Sequence, residues 1–452
     1  MRSRDWQVPT SRDDIVRSTS GGRCMTEQHI SDTGARPSDS PAEPLLAGLR
    51  VLDLTTALSG PWATLTLAGL GADVVKVEPP GGRDNARGNP PFLGPDGLHF
   101  GAPSDEDVSV TVMNRHRDKK SVTLDLKSDR GRKIFHDLVS WADVLVENYS
   151  DGVTKRLGID YETLRAVNPR LIYCSITGFG DGSPYKHIKA MDIVIQAMSG
   201  IVEVTGFEDG PPTRVGLPLA DMIAPLYAVI GILGAVVNRQ QTGVGQRIEV
   251  SMIDALATLV AEEHFDVLHA AGMPYRSGNH LPRLAPFGVY PTSDGHVAIT
   301  GLVDDWAHAL FRAMGAEEMM TDPAFATRGA RAANSYVLND AIEKWTSKHT
   351  TDHVVSLLAE SAVPAVPVRT PREVVDDPYL RARESVVPLQ HPDADLRHQE
   401  LMGSGIPIQF SGAGRIVPGR PSHVGADTET VLKSIARLSD ADLQLLREEG
   451  IV

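Results

Sequence analysis

Hydrophobic and polar positions along this chain fall into short blocks whose period switches repeatedly between that of a strand and that of a helix. GLRVLDLT at 48–55 is a short apolar run and predicts a strand. SGP at 59–61 predicts a turn, 62–69 has helical spacing, and ADVVKVE at 72–78 predicts a second strand, closed by PPGG. A strand, a crossover helix and another strand imply a parallel sheet with a right-handed connection. The alternation recurs: a strand at 119–126, a helix at 130–142, the strand DVLVEN at 143–148, a helix at 161–167, and a strand at 171–176 that runs into TGFG. An open α/β sheet of this kind takes its ligands at the carboxyl ends of the strands. Neither GxGxxG nor GxxxxGK[ST] follows the first strand, so the dinucleotide and P-loop fingerprints are missing.

The middle of the chain is helical. Apolar patterns over 221–238 and 251–272 predict two long helices, and QTGVGQRIEV at 241–250 predicts a glycine turn feeding a strand. Residues 278–300 have the texture of loop and hairpin, with Asp294-Gly295 as the turn. Helices are predicted at 306–314 and 338–358, a proline-rich strand at 363–368, and an amphipathic terminal helix at 438–449 that docks by its apolar face. Residues 1–44 are rich in Ser, Arg, Asp, Thr, Gly and Pro and carry no periodicity. They predict a disordered leader without the continuous apolar stretch of a signal peptide, and Met25 offers a second possible start.

Length and charge refine this picture. A chain of 452 residues exceeds one simple core and predicts more than one domain. The layout expected is a leader at 1–44, a large α/β domain at 45–250, a linker helix at 251–276, a small α+β domain at 277–365, and a return to the large domain over 366–452. A net charge of −14 argues against nucleic acid as partner, so any anionic ligand needs basic residues gathered locally. No apolar run approaches a membrane span, and no transmembrane helix is expected. The two cysteines, Cys24 and Cys174, suggest neither a disulfide framework nor a metal site, which fits the reducing cytoplasm.

One carboxylate stands out. Asp221 lies in TRVGLPLADMIAPLY, with Gly216, Leu217, Pro218, Leu219 and Ala220 before it and an apolar stretch after it. A carboxylate in such a setting is desolvated, and an unpartnered one costs several kcal/mol or stays protonated. Two readings are open: Asp221 caps the helix that follows, or it serves as a nucleophile or base.

From residue 46 to the end, the chain resembles the class III coenzyme A transferases of the CaiB/BaiF type. The segments that carry the resemblance are GLRVLDLTTALSGPWAT, GADVVKVEPPGGRD, KKSVTLDLK, VLVENY, VTKRLGIDYETL, NPRLIYCSITGFG, GFEDGPPTRVGLPLADM, RQQTGVGQRIEVSMIDAL and PSHVGADTETVL. Each is weak alone; their order and spacing make the set specific. The resemblance implies a Rossmann-like open parallel sheet with a smaller α+β domain, in a homodimer whose two chains interlock. It places the family's covalent nucleophile at Asp221. It implies acyl-CoA and a small carboxylic acid as substrates, no tightly bound cofactor and no metal.

By the same resemblance, Lys127, Arg156 and Lys189 match CoA contacts, Asn148 and Tyr149 a strand end that touches CoA, and Leu58 and Ser59 the loop beside the aspartyl thioester. His116 to Lys120 add to the positive patch. Leu58 stands where formyl-CoA transferases have a shielding Gln, Pro79 replaces a basic CoA contact, and GNHLPRLAPFG replaces a glycine-rich lid. These departures argue against the formyl/oxalate reaction and leave the class intact. Two other readings stay open: an α-methylacyl-CoA racemase, whose histidine position holds Met191 beside Asp192, and a non-catalytic CoA-binding protein. Asp192 either helps to position substrate or caps a helix at 193–199. Arg214, Arg283 and His280 are candidates for recognising a second carboxylate.

Overall fold

The computed structural model describes residues 43–452 except 83, 282, 394, 397–400 and 414–418. The leader up to residue 42, with Cys24 and Met25, lies outside the described residues. β1 (Arg50–Asp53) and β2 (Asp73–Glu78) flank α1 (Ser59–Gly69). Residues 59–61, expected as a turn, form the first turn of α1. Pro61 is tolerated there because N–H groups in a first helical turn have no intrahelical acceptor. β3 (Phe92–Gly94), β4 (Gly97–His99) and β5 (Val108–Ser109) form a small antiparallel sheet, and two to three residues per strand are too few to show a period.

α2 (Val110–Arg115), β6 (Lys119–Thr123), α3 (Asp129–Trp141), β7 (Val144–Glu147), α4 (Val153–Leu157), α5 (Tyr161–Val167) and β8 (Ile172–Thr177) follow in sequence. Then come α6 (Asp192–Met198), α7 (Ile201–Val204), α8 (Leu219–Thr242) and β9 (Arg247–Ser251). The strands build one six-stranded sheet in the order β6-β2-β1-β7-β8-β9, with every pairing parallel. Val51, Val74, Val144 and Ile172 face one core with α1 and α8, and Leu52, Val75, Val122 and Leu145 face a second with α3. Both faces are covered, which is why these strands read as near-continuous apolar runs.

The 251–272 helix is in fact two, α9 (Met252–Glu262) and α10 (Phe265–Ala270), separated by His264 in the left-handed region at φ 55. A second sheet joins β10 (Phe287–Pro291), β11 (His296–Thr300) and β12 (Ala365–Pro367), all antiparallel. It carries its own core with α11 (Asp304–Ala313), α12 (Arg328–Ala333), α13 (Ser335–Thr346) and α14 (Thr351–Glu360) around it. The 338–358 helix is split into α13 and α14, because Thr350 leaves helical geometry and its hydroxyl caps α14. α15 (Pro371–Val375), α16 (Pro378–Ala382), β13 (Val386–Pro388) and β14 (Met402–Ser404) lead to α17 (Thr428–Ile435) and α18 (Asp440–Glu448). Val431, Leu432, Leu443 and Leu446 of α17 and α18 enter the core on the α3 face of the large sheet.

α8 corrects one expectation. It runs for 24 residues and is long and apolar enough to cross a membrane. A core helix passes the same test, and α8 packs on α1, α9, β8 and β9 while Ala220, Ala224, Ala228 and Ile232 are buried.

Candidate active site

The carboxyl end of β1, the middle of β2 and the first residue of β6 meet in a buried polar network. Asp53, at the end of β1, accepts hydrogen bonds from Thr55, from Thr64 of α1 at 2.6 Å and from Lys119 of β6 at 2.9 Å. Lys76 donates to the Thr55 carbonyl at 2.5 Å and pairs with Asp84 at 3.3 Å. Burial pushes the Asp53 carboxyl up, but Lys119 and Lys76 outweigh it and hold the group well below its ordinary range. His116, Arg117 and Lys119 are almost wholly buried, and Arg117 is spent on the Asn114 and Ser404 carbonyls. The basic residues expected as a positive patch at 116–120 are therefore interior structure except Lys120, which lies at the surface paired to Asp73.

This network fixes the loop between β1 and α1. Asn148, just after β7, exchanges two hydrogen bonds with the Thr56 backbone, both at 2.9 Å. Asp84 accepts from the Ala57 N–H at 2.9 Å, and Arg115 donates to the Ala57 carbonyl at 3.0 Å. Leu58 is half-buried and Ser59 is buried at the start of α1, its hydroxyl without a partner among the described residues.

Asp221 occupies the first turn of α8. The capping reading does not hold: the N-cap residue is Pro218, no side chain of α8 caps it, and no hydrogen bond engages the Asp221 carboxylate among the described residues. Pro225 has no N–H to donate to the Asp221 carbonyl four residues earlier. Asp192 does cap a helix, though not its own. Its carboxylate accepts from the N–H of Ala220 at 2.9 Å and of Asp221 at 3.4 Å, at the head of α8. Burial, then the neighbouring Asp192 carboxylate, push the Asp221 carboxyl up to about 6, against the opposing pull of Arg115. Arg115 is the site residue that sequence reading missed. It lies at the end of a six-residue helix whose only signal is a basic residue in a basic run.

The upward shift makes a stability prediction. A folded-state pKa above the ordinary Asp value means the folded protein binds more protons between about pH 4 and 6, so stability falls as pH rises through that window. Asp221→Asn should therefore be more stable than wild type at pH 8, by on the order of 2 kcal/mol after allowance for partial exposure, and no more stable at pH 4. Urea unfolding at the two pH values checks this; an equal gain at both would contradict it.

The remaining candidates line the strand ends. Lys127 and Tyr149 share a cavity of about 170 Å³ with Pro79, which stands in the wall where a basic contact was expected. Tyr149 and Lys189 share another, of about 290 Å³. Arg156 is exposed on α4 and lines neither, while its neighbour Lys155 faces a third cavity, about 260 Å³, again with Tyr149. Tyr149 thus joins three cavities along the sheet edge. Arg283 is committed to Glu263 at 2.5 Å, Arg214 donates to the Val215 carbonyl, and burial holds His280 below its ordinary pKa. A cavity of about 750 Å³ lies apart, on β10, β11 and β12, and of all these residues only His280 lines it.

Comparison with known proteins identifies the setting. The sequence profile of CoA-transferase family III matches residues 46–428. The chain is 38% identical over 370 residues to succinyl-CoA:mesaconate CoA-transferase of Haloarcula hispanica, covering 81% of this chain and 90% of that protein. It is 38% identical over 378 residues to acetyl-CoA:oxalate CoA-transferase of Acetobacter aceti, covering 82% and 91%. A CAIB/BAIF family protein from Brucella suis superposes with a TM-score of 0.74 at 35% identity, over 87% of this chain and all of that one. The chain therefore belongs to CoA-transferase family III, enzymes that move coenzyme A between an acyl-CoA and a carboxylic acid.

Proposed function

We propose that the protein transfers CoA from an acyl-CoA to a carboxylic acid through covalent intermediates on Asp221. The observation that carries this reading is a half-buried carboxylate with no hydrogen-bond donor among the described residues, at the head of a helix beside the β1–α1 loop and within the field of Arg115. An Asp221 oxygen attacks the thioester carbonyl carbon, the C–S bond breaks, and CoA thiolate leaves a mixed anhydride. The thiolate then attacks the Asp221 side-chain carbonyl and the donor carboxylate departs, giving an aspartyl-CoA thioester. The acceptor carboxylate runs the same steps backwards and restores free Asp221. Each half is an acyl exchange with no net proton or electron to supply. Partial desolvation strips water from the attacking carboxylate. Purified protein, a panel of acyl-CoA donors and many acids, with mass detection of new thioesters, tests the reading. No new thioester with any pair would overturn it.

Named relatives act on mesaconate and oxalate, which are dicarboxylic acids. That favours a dicarboxylic acceptor here. Arg115, which has no ion-pair partner among the described residues, is the cation best placed near Asp221 to meet one of its carboxylates.

The CoA moiety lies along the strand ends, over Tyr149 and beside Asn148, Leu58 and Ser59, with Lys127, Arg156 and Lys189 meeting its phosphates. Each cation replaced by Ala should raise the KM of every acyl-CoA alike, by the equivalent of roughly 1–3 kcal/mol, and leave the ranking of acceptor acids unchanged. A change confined to acid ranking would place these residues in the acid pocket instead.

The working form in this reading is a cytoplasmic, interlocked homodimer, with a large α/β domain and a small α+β domain joined by the 251–276 linker and the 366–452 return. The apolar face that α8 leaves exposed, through Leu226, Tyr227, Ile230 and Val237, supports an obligate interface above about 2,000 Å². Light scattering at nanomolar protein should show only dimer until the chain unfolds. A folded, active monomer at that dilution would rule the interlock out.

A further inference from the structure

The loop that delivers Asp221 into α8 is held by two side chains from one helix. Gln196 of α6 is fully buried, yet it is a polar residue with four hydrogen-bonding sites to satisfy. Its Oε1 accepts from the Val215 N–H at 3.1 Å, and its Nε2 donates to the Leu217 carbonyl at 3.0 Å. The same Nε2 donates to Asp192 Oδ2 at 2.6 Å, one helical turn back. Asp192 Oδ1, in turn, receives the N–H groups of Ala220 and Asp221. Four backbone groups between Val215 and Asp221 are thus fixed by two residues, and α8 has no capping side chain of its own.

We propose that Gln196 and Asp192 form a positioning clamp for the nucleophile: the amide fixes where Asp221 sits, and the Asp192 carboxylate holds the head of α8 and lies against the reacting group. This rests on Asp221 being the nucleophile. Asp192 fills the electropositive head of α8, where a helix N-terminus would otherwise stabilise the charge on Asp221. In its place it sets a second carboxylate beside the reacting group. A carboxylate made harder to ionise is a stronger nucleophile once ionised, so the clamp raises reactivity at neutral pH while keeping the group mostly charged there. The charged groups that act on Asp221 are Asp192 from α6 and Arg115 from α2. α1 carries no titratable side chain, and Asp254 and Glu262 of α9 and the residues of β8 and β9 contribute no shift.

A simple cap would need only the hydrogen bonds, and the two roles separate in Asp192→Asn. Asn keeps an oxygen for the Ala220 and Asp221 N–H groups and removes the charge; its amide nitrogen cannot accept from Gln196 Nε2, so that one bond is lost as well, and the pH limb is the readout that reports the charge alone. The acid limb of kcat/KM should move to lower pH by roughly one unit, with kcat at pH 8 reduced and the KM of acyl-CoA unchanged. Gln196→Met, which keeps the volume and removes the amide, should lower kcat at least about tenfold, again without moving that KM. Loss of rate with an unmoved acid limb in Asp192→Asn would overturn the proposal, because that is what a purely structural cap does. So would wild-type kcat in Gln196→Met. If either variant is poorly folded by thermal melting, the other decides. Hydroxylamine trapping of Asp221 in the wild type keeps the two claims apart: no label on Asp221 defeats the nucleophile reading, whereas a label with an unmoved limb defeats only the clamp.

Discussion

Asp221→Ala is expected to lose transfer activity by roughly 10⁴-fold or more, with folding and acyl-CoA binding intact. The size follows from chemistry in which every step forms or breaks a bond to that carboxylate. No second carboxylate can stand in. Asp192 lies next to Asp221, but both of its oxygens already accept hydrogen bonds, from Gln196 on one side and from the head of α8 on the other. Removal of Asp221 costs little structure, because its carboxylate makes no hydrogen bond among the described residues and Pro218 rather than Asp221 is the N-cap of α8. Steady-state transfer and acyl-CoA titration, run on the same preparation, check both halves. Activity within tenfold of wild type would refute the assignment.

The largest effect on stability is expected at Lys119. Its ammonium donates to Asp53 Oδ2 at 2.9 Å, to the Pro61 carbonyl at 2.8 Å and to Thr64 Oγ1 at 2.7 Å, and both side chains of the pair are essentially inaccessible. Burial pushes the Lys119 ammonium down to about 8, against the pull of Asp53, so the pair is ionised at neutral pH. Lys119→Met leaves an ionised carboxylate beneath the β1–α1 loop without its hydrogen-bonded cation, with Lys76 as the remaining positive charge. Breaking one side of a buried pair typically costs about 3–5 kcal/mol. Asp53→Asn in the same chain should recover a large part of that loss, since the stranded charge is gone. Urea unfolding of the two single variants and the double closes the cycle. A Lys119→Met protein within about 1 kcal/mol of wild type would mean that Asp53 is not charged in the fold.

The same residues show how far the sequence could be read. Strands β1, β2, β7 and β8 were legible because both faces of the sheet are covered, and continuous apolar runs of that length have few other uses. Asp221 was legible as unusual from its apolar neighbours, and as a nucleophile only through the resemblance carried by GLPLADM. What stayed hidden depends on contacts between distant segments. Nothing at 116–120 reveals that Lys119 faces Asp53, 66 positions away, so a run of basic residues looks like surface. Asp192 opens its own helix, and that local position predicts a cap for α6. Its true partners, Ala220 and Asp221, are 28 and 29 residues on. Gln196 gives no signal at all, since a glutamine in a short helix is ordinarily solvated. The breaks at His264 and Thr350 were missed because neither glycine nor proline marks them.

The account stands on a covalent bond between substrate and Asp221, and one measurement tests it most directly. Wild-type protein is incubated with an acyl-CoA that it turns over, quenched with hydroxylamine or borohydride, digested, and its peptides are analysed by mass. An activated acyl group on a carboxylate yields a hydroxamate with the first reagent and an alcohol with the second, whereas a free carboxylate yields neither. The predicted result is modification of the peptide containing GLPLADM, at Asp221 alone, dependent on acyl-CoA and absent from Asp221→Ala. Turnover with Asp221 unmodified, or with the label on another residue, would contradict it.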